Sequence, residues 1–223
     1  MPYLGYFQVI KYVDTYVLYD DVNYYKGGYI NRNNILVNNR SNMIVIPVKD
    51  ASRSKLINEV ELHKEDRLFR NVIKTIQMAY KKTPYFDAVF PIIERVLDSD
   101  DQLVSELAQR SIVEVAAYLG FKTKFIVSSE SFSNSRGIEK EQRLITICKE
   151  IGAKSYVCDI GGEEIYKKEN FEKEGLDLQF FVPALSEYKQ FDADFIPALS
   201  IIDVLMFNSV EEVNAMMDRF ELR

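Results

Sequence analysis

Two adjacent carboxylates follow a strand-like segment near the N-terminus of this 223-residue chain. Residues 16–19 are rich in β-branched and aromatic side chains, which is typical of a strand, and Asp20 and Asp21 follow it. Carboxylates at the end of a strand in an open sheet can bind Mg²⁺, ribose hydroxyls or a substrate amine. Aspartate residues are also common at the start of turns. The pattern therefore makes both residues catalytic candidates and leaves the purely structural alternative open.

The next segment combines groups that bind sugars and phosphates. Lys26 precedes a Gly-Gly turn, and an arginine flanked by two asparagines follows a few residues later. The planar guanidinium group of arginine suits phosphate or carboxylate, side-chain amides hydrogen-bond to hydroxyls, and tyrosine rings stack on sugars or bases. The alternative is a polar edge strand. We predict that Lys26 is a third catalytic residue and that substrate contacts lie at Tyr25, Asn31, Arg32 and Asn33.

Two further polar segments follow predicted strands in the C-terminal half. A serine-rich loop comes after residues 124–127, and a Gly-Gly pair stands between a strand and a helix whose N-terminus could accept an anion. Neither segment has the spacing of a dinucleotide-binding or P-loop motif. A flexible loop and an ordinary turn are the structural alternatives. The predicted substrate contacts here are Ser128, Ser129, Gly161 and Gly162, with Arg136 at the end of the serine loop.

The composition is that of an ordinary globular protein, with 47% hydrophobic and 28% charged residues. A length of 223 residues suits one α/β domain, and nothing in the chain marks a domain boundary, so we expect a single domain over residues 1–223. No run approaches the ~18 apolar residues of a membrane span. The N-terminus lacks the pattern of a secretory signal. The expected location is therefore cytoplasmic.

The chain has few cysteine and histidine residues that could serve as metal ligands or nucleophiles. The chain has two cysteines, Cys148 and Cys158, which do not form a Cys-x-x-Cys pair, and one histidine. A disulfide framework, a conventional zinc site and a Ser-His-Asp triad are therefore disfavoured, and no metal site is predicted. The net charge of −6 disfavours nucleic acid as a partner. Nothing in the sequence identifies a cofactor.

The order of predicted elements indicates an α/β fold with a mostly parallel open sheet in Rossmann-like layers. Short strands alternate with amphipathic helices in the C-terminal half, which is typical of such sheets, and ligands bind there at the carboxyl ends of the strands. A helical block occupies about residues 66–120. Predicted helices cover residues 4–13, 139–151, 163–174 and 194–207; predicted extended segments cover 16–19, 29–37, 43–48, 124–127, 155–159 and 177–182.

Many segments together resemble the WbqC-like family, over nearly the full chain. They include LGYFQVI, YVLYDDV, YKGGYINRNNILVN, AYKKTPYF, EQRLITICKEIGA, IGGEEIY and EYKQFDADFIPALSIIDVLMFN, in that order. The resemblance implies a bacterial protein that accompanies O-antigen, capsule or other surface-glycan assembly and processes nucleotide-activated or amino sugars. Arg143 and Tyr188 lie in two of these segments and complete the predicted substrate-binding set.

The chain departs from the family at its N-terminus. Family members usually carry a short apolar strand and a Gln-Pro-Tyr loop before the segment that matches residues 2–7, and Met1 stands in that place here. The resemblance therefore implies that the first strand of a β-α-β unit is absent. We expect one wall of the site to be open as a result.

The leading functional hypothesis is a transferase of surface-glycan biosynthesis that modifies an amino sugar carried on a nucleotide. Its expected partner is a nucleotide sugar or another phosphorylated small molecule. Arg32 and Lys26 would contact phosphate, and Asp20 or Asp21 would orient or deprotonate the acceptor amine. One alternative is a non-catalytic scaffold of a glycan-biosynthesis complex, and another is an ATP-dependent enzyme resembling nucleotidyltransferases and ligases. The apolar helices also leave a homo-oligomer open.

Overall fold

Parallel pairing between distant segments gives the chain its α/β character. The computed structural model describes residues 1–191 and 194–223. Its strands are β1 (Thr15–Leu18), β2 (Arg32–Val37), β3 (Arg40–Val45), β4 (Lys124–Val127), β5 (Ser155–Asp159), β6 (Asp177–Pro183) and β7 (Phe220–Leu222). Its α-helices are α1 (Leu4–Tyr12), α2 (Arg67–Tyr80), α3 (Phe86–Leu97), α4 (Val104–Tyr118), α5 (Ser128–Ser131), α6 (Lys140–Glu150), α7 (Lys168–Glu172), α8 (Ile201–Phe207) and α9 (Val210–Met217). The predicted mixed α/β class is confirmed.

The strands form three small sheets rather than one continuous sheet. β1 pairs in parallel with β4, and β5 pairs in parallel with β6, to which β7 adds in antiparallel orientation. β2 and β3 form an antiparallel hairpin. In the first sheet Thr15 is opposite Lys124 and Leu18 is opposite Val127. The carboxyl ends of β1 and β4 therefore lie side by side, and the residues that follow both strands are neighbours.

The main hydrophobic core lies between α1, the hairpin and the helices α2, α3, α4, α8 and α9. Phe7, Ile35, Ile76 and Tyr80 are within 1% of complete burial in it. The spacing of Val72, Ile76 and Tyr80 on α2 places them on one face of the helix, as amphipathic packing requires. A second, smaller core lies under β5 and β6 and includes Phe171 and Leu178. Each parallel pair of strands therefore has its own supporting layer.

The segment predicted as a buried strand over residues 43–48 is different in the structure. β3 spans Arg40–Val45, is the outer strand of the hairpin and is largely exposed, with Met43 45% and Val45 43% accessible. The turn Asn38-Asn39 has φ values of 50° and 58°, the left-handed pair that a tight two-residue hairpin needs. Because β2 is the only strand paired with β3 within the described residues, two of its three apolar side chains, Met43 and Val45, are exposed.

Two predicted helices are also shorter than expected. The helix expected over residues 163–174 is a 3₁₀ turn, Ile160–Glu164, followed by the short α7. The helix expected over residues 194–207 begins only at Ile201, where the Ser200 side chain caps it by accepting from the Ile202 amide. Residues before Ser200 include Pro197 and a left-handed Ala198 with φ 56°, and neither fits a continuous helix. In both segments the apolar spacing alone overestimated the helix length.

Candidate functional site

A compact group of polar and charged side chains lies at the adjoining carboxyl ends of β1 and β4. We call it the strand-end cluster. Two members follow β1, two begin the helix α5 directly after β4, and two arginines reach in from the loop and helix beyond. Its residues are Asp20, Asp21, Ser128, Ser129, Arg136 and Arg143.

Asp20 is fixed by the start of α5. Its Oδ1 atom accepts from the Ser129 amide at 3.0 Å, and its Oδ2 atom accepts from the Ser129 hydroxyl at 2.8 Å. The Ser128 hydroxyl accepts from the Asp20 amide at 3.2 Å, and the Ser128 residue is fully buried. The two predicted serines therefore first serve to tie β1 to β4. Ser129, which is only partly buried, keeps access to solvent.

Asp21 is bound by both arginines. Its Oδ2 atom accepts from Arg143 Nη2 at 2.6 Å and from Arg136 Nε at 3.1 Å, while its Oδ1 atom accepts from the Ser128 hydroxyl at 2.6 Å. Burial alone would raise the pKa of the Asp21 carboxyl, but the hydrogen bonds from Ser128, Arg143 and Arg136 outweigh it and hold the pKa below its ordinary value. Asp21 is therefore a permanent anion at neutral pH that positions two cations.

The two arginines differ in accessibility. The side chain of Arg143 is 6% exposed; its Nε also donates to the buried Ser135 hydroxyl at 2.9 Å, and its guanidinium lies 4.7 Å from the centre of the Tyr19 ring. The side chain of Arg136 is 47% exposed and lies over the same carboxylate. Arg143 is thus held inside the cluster, whereas Arg136 can also contact a ligand from solvent.

A groove of about 1110 Å³ runs between β1 and β5, and it adjoins the cluster through Tyr19 and Leu144, the chain neighbours of Asp20 and Arg143. Tyr19 lines it on one side; Asp159, Gly161 and Gly162 line it on the other. We call it the central groove. Within the described residues, β1 and β5 each pair on one edge only, and their other edges border this groove.

The two glycines predicted to bind substrate each have a structural role in the local fold. The Gly161 amide donates to Asp159 Oδ1 at 2.9 Å and opens the 3₁₀ turn after β5. At Gly162 a Cβ atom would stand 2.0 Å from the Cys158 sulfur, so any side chain there would clash. Both residues line the central groove, but no ligand role for them follows from these contacts alone. Their contribution to substrate binding remains a prediction.

The predicted residues between Tyr25 and Asn33 form a different surface. Asn31 accepts from the Tyr24 hydroxyl at 3.0 Å, and Asn33 donates to the Met1 carbonyl at 2.9 Å, so both asparagine side chains are tied to the protein itself. Arg32 Nε donates to the Gly28 carbonyl at 3.0 Å. Tyr25 is 62% exposed and Lys26 is exposed. None of their described hydrogen bonds reaches the strand-end cluster.

Tyr188 belongs to a third group of residues. Its hydroxyl donates to Asp203 Oδ2 at 2.6 Å, the Gln190 amide donates to the same oxygen at 2.7 Å, and the Tyr80 hydroxyl donates to Asp203 Oδ1 at 2.8 Å. Asp203 is completely buried, and burial raises its carboxyl pKa although these three hydrogen bonds oppose the rise. This network joins α2 to α8. The predicted role of Tyr188 in a sugar pocket is not supported by any contact with the strand-end cluster.

Tyr19 and Ser135 are members of the site's immediate surroundings that sequence reasoning did not single out. Tyr19 provides the ring beneath Arg143, and Ser135 accepts from the same guanidinium. A signal for Tyr19 was present, because an aromatic residue at the end of a strand and next to Asp-Asp must project at the same sheet edge. Ser135 is one of five serines in the eight residues 128–135, and nothing in that serine-rich loop distinguishes it from the others.

Within the described part of the chain, no three His, Cys, Asp or Glu side chains converge as a metal site would require. The strand-end cluster contains only two carboxylates, and arginines already bind one of them. The chemistry that the side chains of the cluster offer is anion binding by Arg136 and hydrogen bonding by Asp20 and Ser129.

Over the same described residues, no helix combines the length and the apolar character needed to cross a bilayer.

Comparison with known proteins agrees with the resemblance seen in the sequence. An uncharacterized protein of Mycobacterium tuberculosis (strain ATCC 25618 / H37Rv), Rv1507c, is 26% identical over 211 residues, which cover 93% of this chain and 89% of that relative. No solved structure matches the chain. The WbqC-like protein family matches residues 1–215, which include the strand-end cluster, the hairpin and both walls of the central groove. The chain therefore belongs to the WbqC-like protein family.

Proposed function

We propose that this protein is a transferase of bacterial surface-glycan biosynthesis that acts on a nucleotide-linked amino sugar bound at the strand-end cluster. The observation that carries the proposal is the position of Arg136. Its half-exposed guanidinium donates to Asp21 at the carboxyl ends of two adjacent parallel strands, where Tyr19 also lines the central groove. In open α/β sheets this is the position where phosphorylated ligands bind.

The phosphate role moves to Arg136 from the residues that the sequence suggested. Lys26 and Arg32 are part of the exposed segment that precedes and begins β2, and they share no described contact with the cluster. Arg136 is oriented by Asp21, so its fork is held in place before a ligand arrives. A diphosphate can accept from the guanidinium nitrogens that Asp21 does not use. Prior orientation lowers the entropy cost of binding.

The amine of the sugar is assigned to Asp20. Its Oδ2 atom accepts one described hydrogen bond, from Ser129, and therefore retains an acceptor site. Asp21 is a weaker choice because its Oδ2 atom already accepts from two arginines. An ammonium group on Asp20 and a phosphate on Arg136 would place the substrate across the cluster. Proton removal from that amine, at Asp20 or by water, would make it a nucleophile.

Binding experiments with a matched pair of variants test the proposal. Thermal-shift and calorimetric titrations would use nucleoside diphosphates and commercially available nucleotide-linked amino sugars. A ligand that binds only the native state raises the melting temperature. We expect Arg136→Ala to remove the response and Arg95→Ala to keep it, because Arg95 is a comparably exposed arginine on α3 that pairs with Glu114. An unchanged response in Arg136→Ala would refute the assignment.

The scaffold alternative makes the opposite prediction in the same assay. A protein without a small-molecule site would show no shift at saturating concentrations of any of these nucleotides. In that case, co-purification of glycan enzymes with this protein would be the relevant measurement. A thermal shift and its absence can both be measured with the unmodified protein, so the choice between the two functional classes does not depend on any variant.

A further inference from the structure

A second cavity lies between the β2–β3 hairpin and the helices α2, α3, α4 and α8, and none of its lining residues belongs to the strand-end cluster. We call it the hairpin cavity. Its volume is about 60 Å³, and one water molecule needs about 10–15 Å³ on this measure, so the space suits a chain of about four to six heavy atoms. Ile76, Val96 and Leu107 form part of its apolar wall. A space of this size is larger than a packing defect.

The polar side chains that line the cavity already have partners. Ser111 donates to the Ala108 carbonyl at 2.8 Å, Ser200 donates to the Met1 carbonyl at 3.0 Å, and Asn31 donates to the Ile46 carbonyl at 2.8 Å. The buried polar side-chain atoms that lack a partner among the described residues belong to Gln8 and Asn58, and neither lines this space. Because these side chains are satisfied within the protein, the cavity favours an apolar occupant over water.

The cavity opens towards the hairpin. The helical lining residues Ile76, Val96 and Leu107 are buried, whereas Arg32 and Ile44 on the hairpin are partly exposed. Arg32 lies at this mouth, and within the described residues its guanidinium forms no ion pair. Its Nε donates to the Gly28 carbonyl and its guanidinium lies 5.9 Å from the centre of the Tyr29 ring, so no described carboxylate neutralises it. An apolar chamber with such a cation at its entrance has the chemistry of a site for a short acid.

We propose that the hairpin cavity binds a short unbranched carboxylic acid, with its alkyl chain among the helices and its carboxylate at Arg32. The inference does not depend on the proposed transferase function, since the two sites share no residue. It gives Arg32 a ligand other than nucleotide phosphate. The guanidinium fork matches a carboxylate in shape as well as charge.

A chain-length series tests the site. Straight-chain carboxylates from two to ten carbons, and the corresponding alcohols, would be titrated by ligand-observed NMR and thermal shift. We expect the largest response for chains of about four to six heavy atoms, because longer chains exceed the cavity. Acids should bind more tightly than alcohols of equal length, and Arg32→Ala should abolish that preference. Equal binding of acids and alcohols by the unmodified protein would overturn the role of Arg32.

Two substitutions at the wall test the cavity itself. Ala108→Leu adds three carbon atoms at the cavity wall and should eliminate binding, whereas Ala117→Leu, on the exposed face of the same helix, should leave it intact. Leu107→Ala enlarges the space and should move the optimum to longer chains, which keeps the test readable if Ala108→Leu fails to fold. Undiminished binding in folded Ala108→Leu, or an unmoved optimum in Leu107→Ala, would overturn the proposal. The nucleotide response of Ala108→Leu should be unchanged, which separates this test from that of the transferase.

Discussion

Arg143 Nη2 donates to Asp21 Oδ2 at 2.6 Å, and this ion pair joins residues 122 positions apart with both side chains buried. Removing one partner would leave an uncompensated charge in the interior. We therefore expect Arg143→Ala to lower the free energy of unfolding by about 3–5 kcal/mol. Arg136→Ala removes a half-exposed partner of the same carboxylate and should cost less than about 1 kcal/mol. Urea denaturation of both variants measures the difference; equal losses would contradict a structural role confined to Arg143.

Asp21 should also make stability depend on pH at the acid end. Its pKa is lower in the folded chain than in the unfolded chain, so its contribution is complete above the ordinary aspartate pKa of about 3.9 and is lost as the pH falls through the folded value. A carbon-13 NMR titration of the side-chain carboxyls should therefore give Asp21 a midpoint below about 3.9. A midpoint at or above that value would show that burial outweighs the arginines.

Gly162 should tolerate no larger residue while Cys158 is present. A Cβ atom at this position would lie 2.0 Å from the Cys158 sulfur, and overpacking of this kind typically costs about 1–3 kcal/mol. We expect Gly162→Ala to lower the melting temperature and the double variant with Cys158→Ala to recover most of the loss. Gly161→Ala is the control, because its Cβ would be 3.3 Å from its nearest neighbour, Asp159 Oδ1. Failure of the double variant to recover would point to the Tyr166 ring instead, because its Cδ2 atom would lie 3.2 Å from the added Cβ.

The buried network around Asp203 should respond to the loss of single hydroxyls. Tyr80→Phe removes a donor to Asp203 and the acceptor of the Leu36 amide at 2.9 Å, so it should cost about 1–3 kcal/mol. Tyr188→Phe should also destabilise the protein, and it should leave nucleotide binding unchanged. Tyr25→Phe, at an exposed tyrosine, should not alter stability. Loss of nucleotide binding in a stable Tyr188→Phe variant would restore Tyr188 to the substrate site.

The open edges of β1 and β5 make a prediction about an added N-terminal strand. Only Val13 and Asp14 separate α1 from β1, so a right-handed crossover would place a strand preceding α1 beside β1, in the central groove. An extension of about six residues rich in Val and Ile should raise the melting temperature. A Gly/Ser extension of equal length is the control.

Hydrogen exchange locates the effect of that extension. The strand extension should slow exchange at the amides of β1 and β5 that face the groove, and it should leave β2 unchanged. Uniform protection across all strands would indicate general stabilisation rather than pairing. Unchanged exchange in β1 and β5 would mean that the groove does not accept a strand.

The sequence predicted local features of the fold better than the contacts between distant segments. The strand before Asp20 and the strand before Ser128 both follow from runs rich in β-branched and aromatic residues. Their parallel pairing depends on packing between segments more than 100 residues apart, so the meeting of these two ends could be expected only from the general rule for open sheets. The separation into three sheets was not predictable, because edge pairing leaves no mark in a strand's own residues.

Prediction of the candidate site from the sequence has the same limit: residue types can be predicted, but the contacts that they make cannot. Asp20, Asp21, Ser128, Ser129 and Arg143 all came from sequence reasoning and lie together. The asparagine-rich segment that leads into β2 had an equally suggestive composition, yet two of its asparagines, Asn31 and Asn33, hold the hairpin and Met1 in place. Composition does not distinguish a side chain that binds a ligand from one that satisfies the backbone, since both uses require the same donors and acceptors.

The two cysteines have a practical consequence for experiments on this protein. Burial raises the thiol pKa of both Cys148 and Cys158 to about 11, so little reactive thiolate is present near neutral pH. The native chain should therefore react slowly with maleimides and form few intermolecular disulfides during storage. A cysteine introduced at exposed Ser133, three residues before Arg136, would be labelled selectively. A fluorophore at that position would report ligand binding directly, without an assay for turnover.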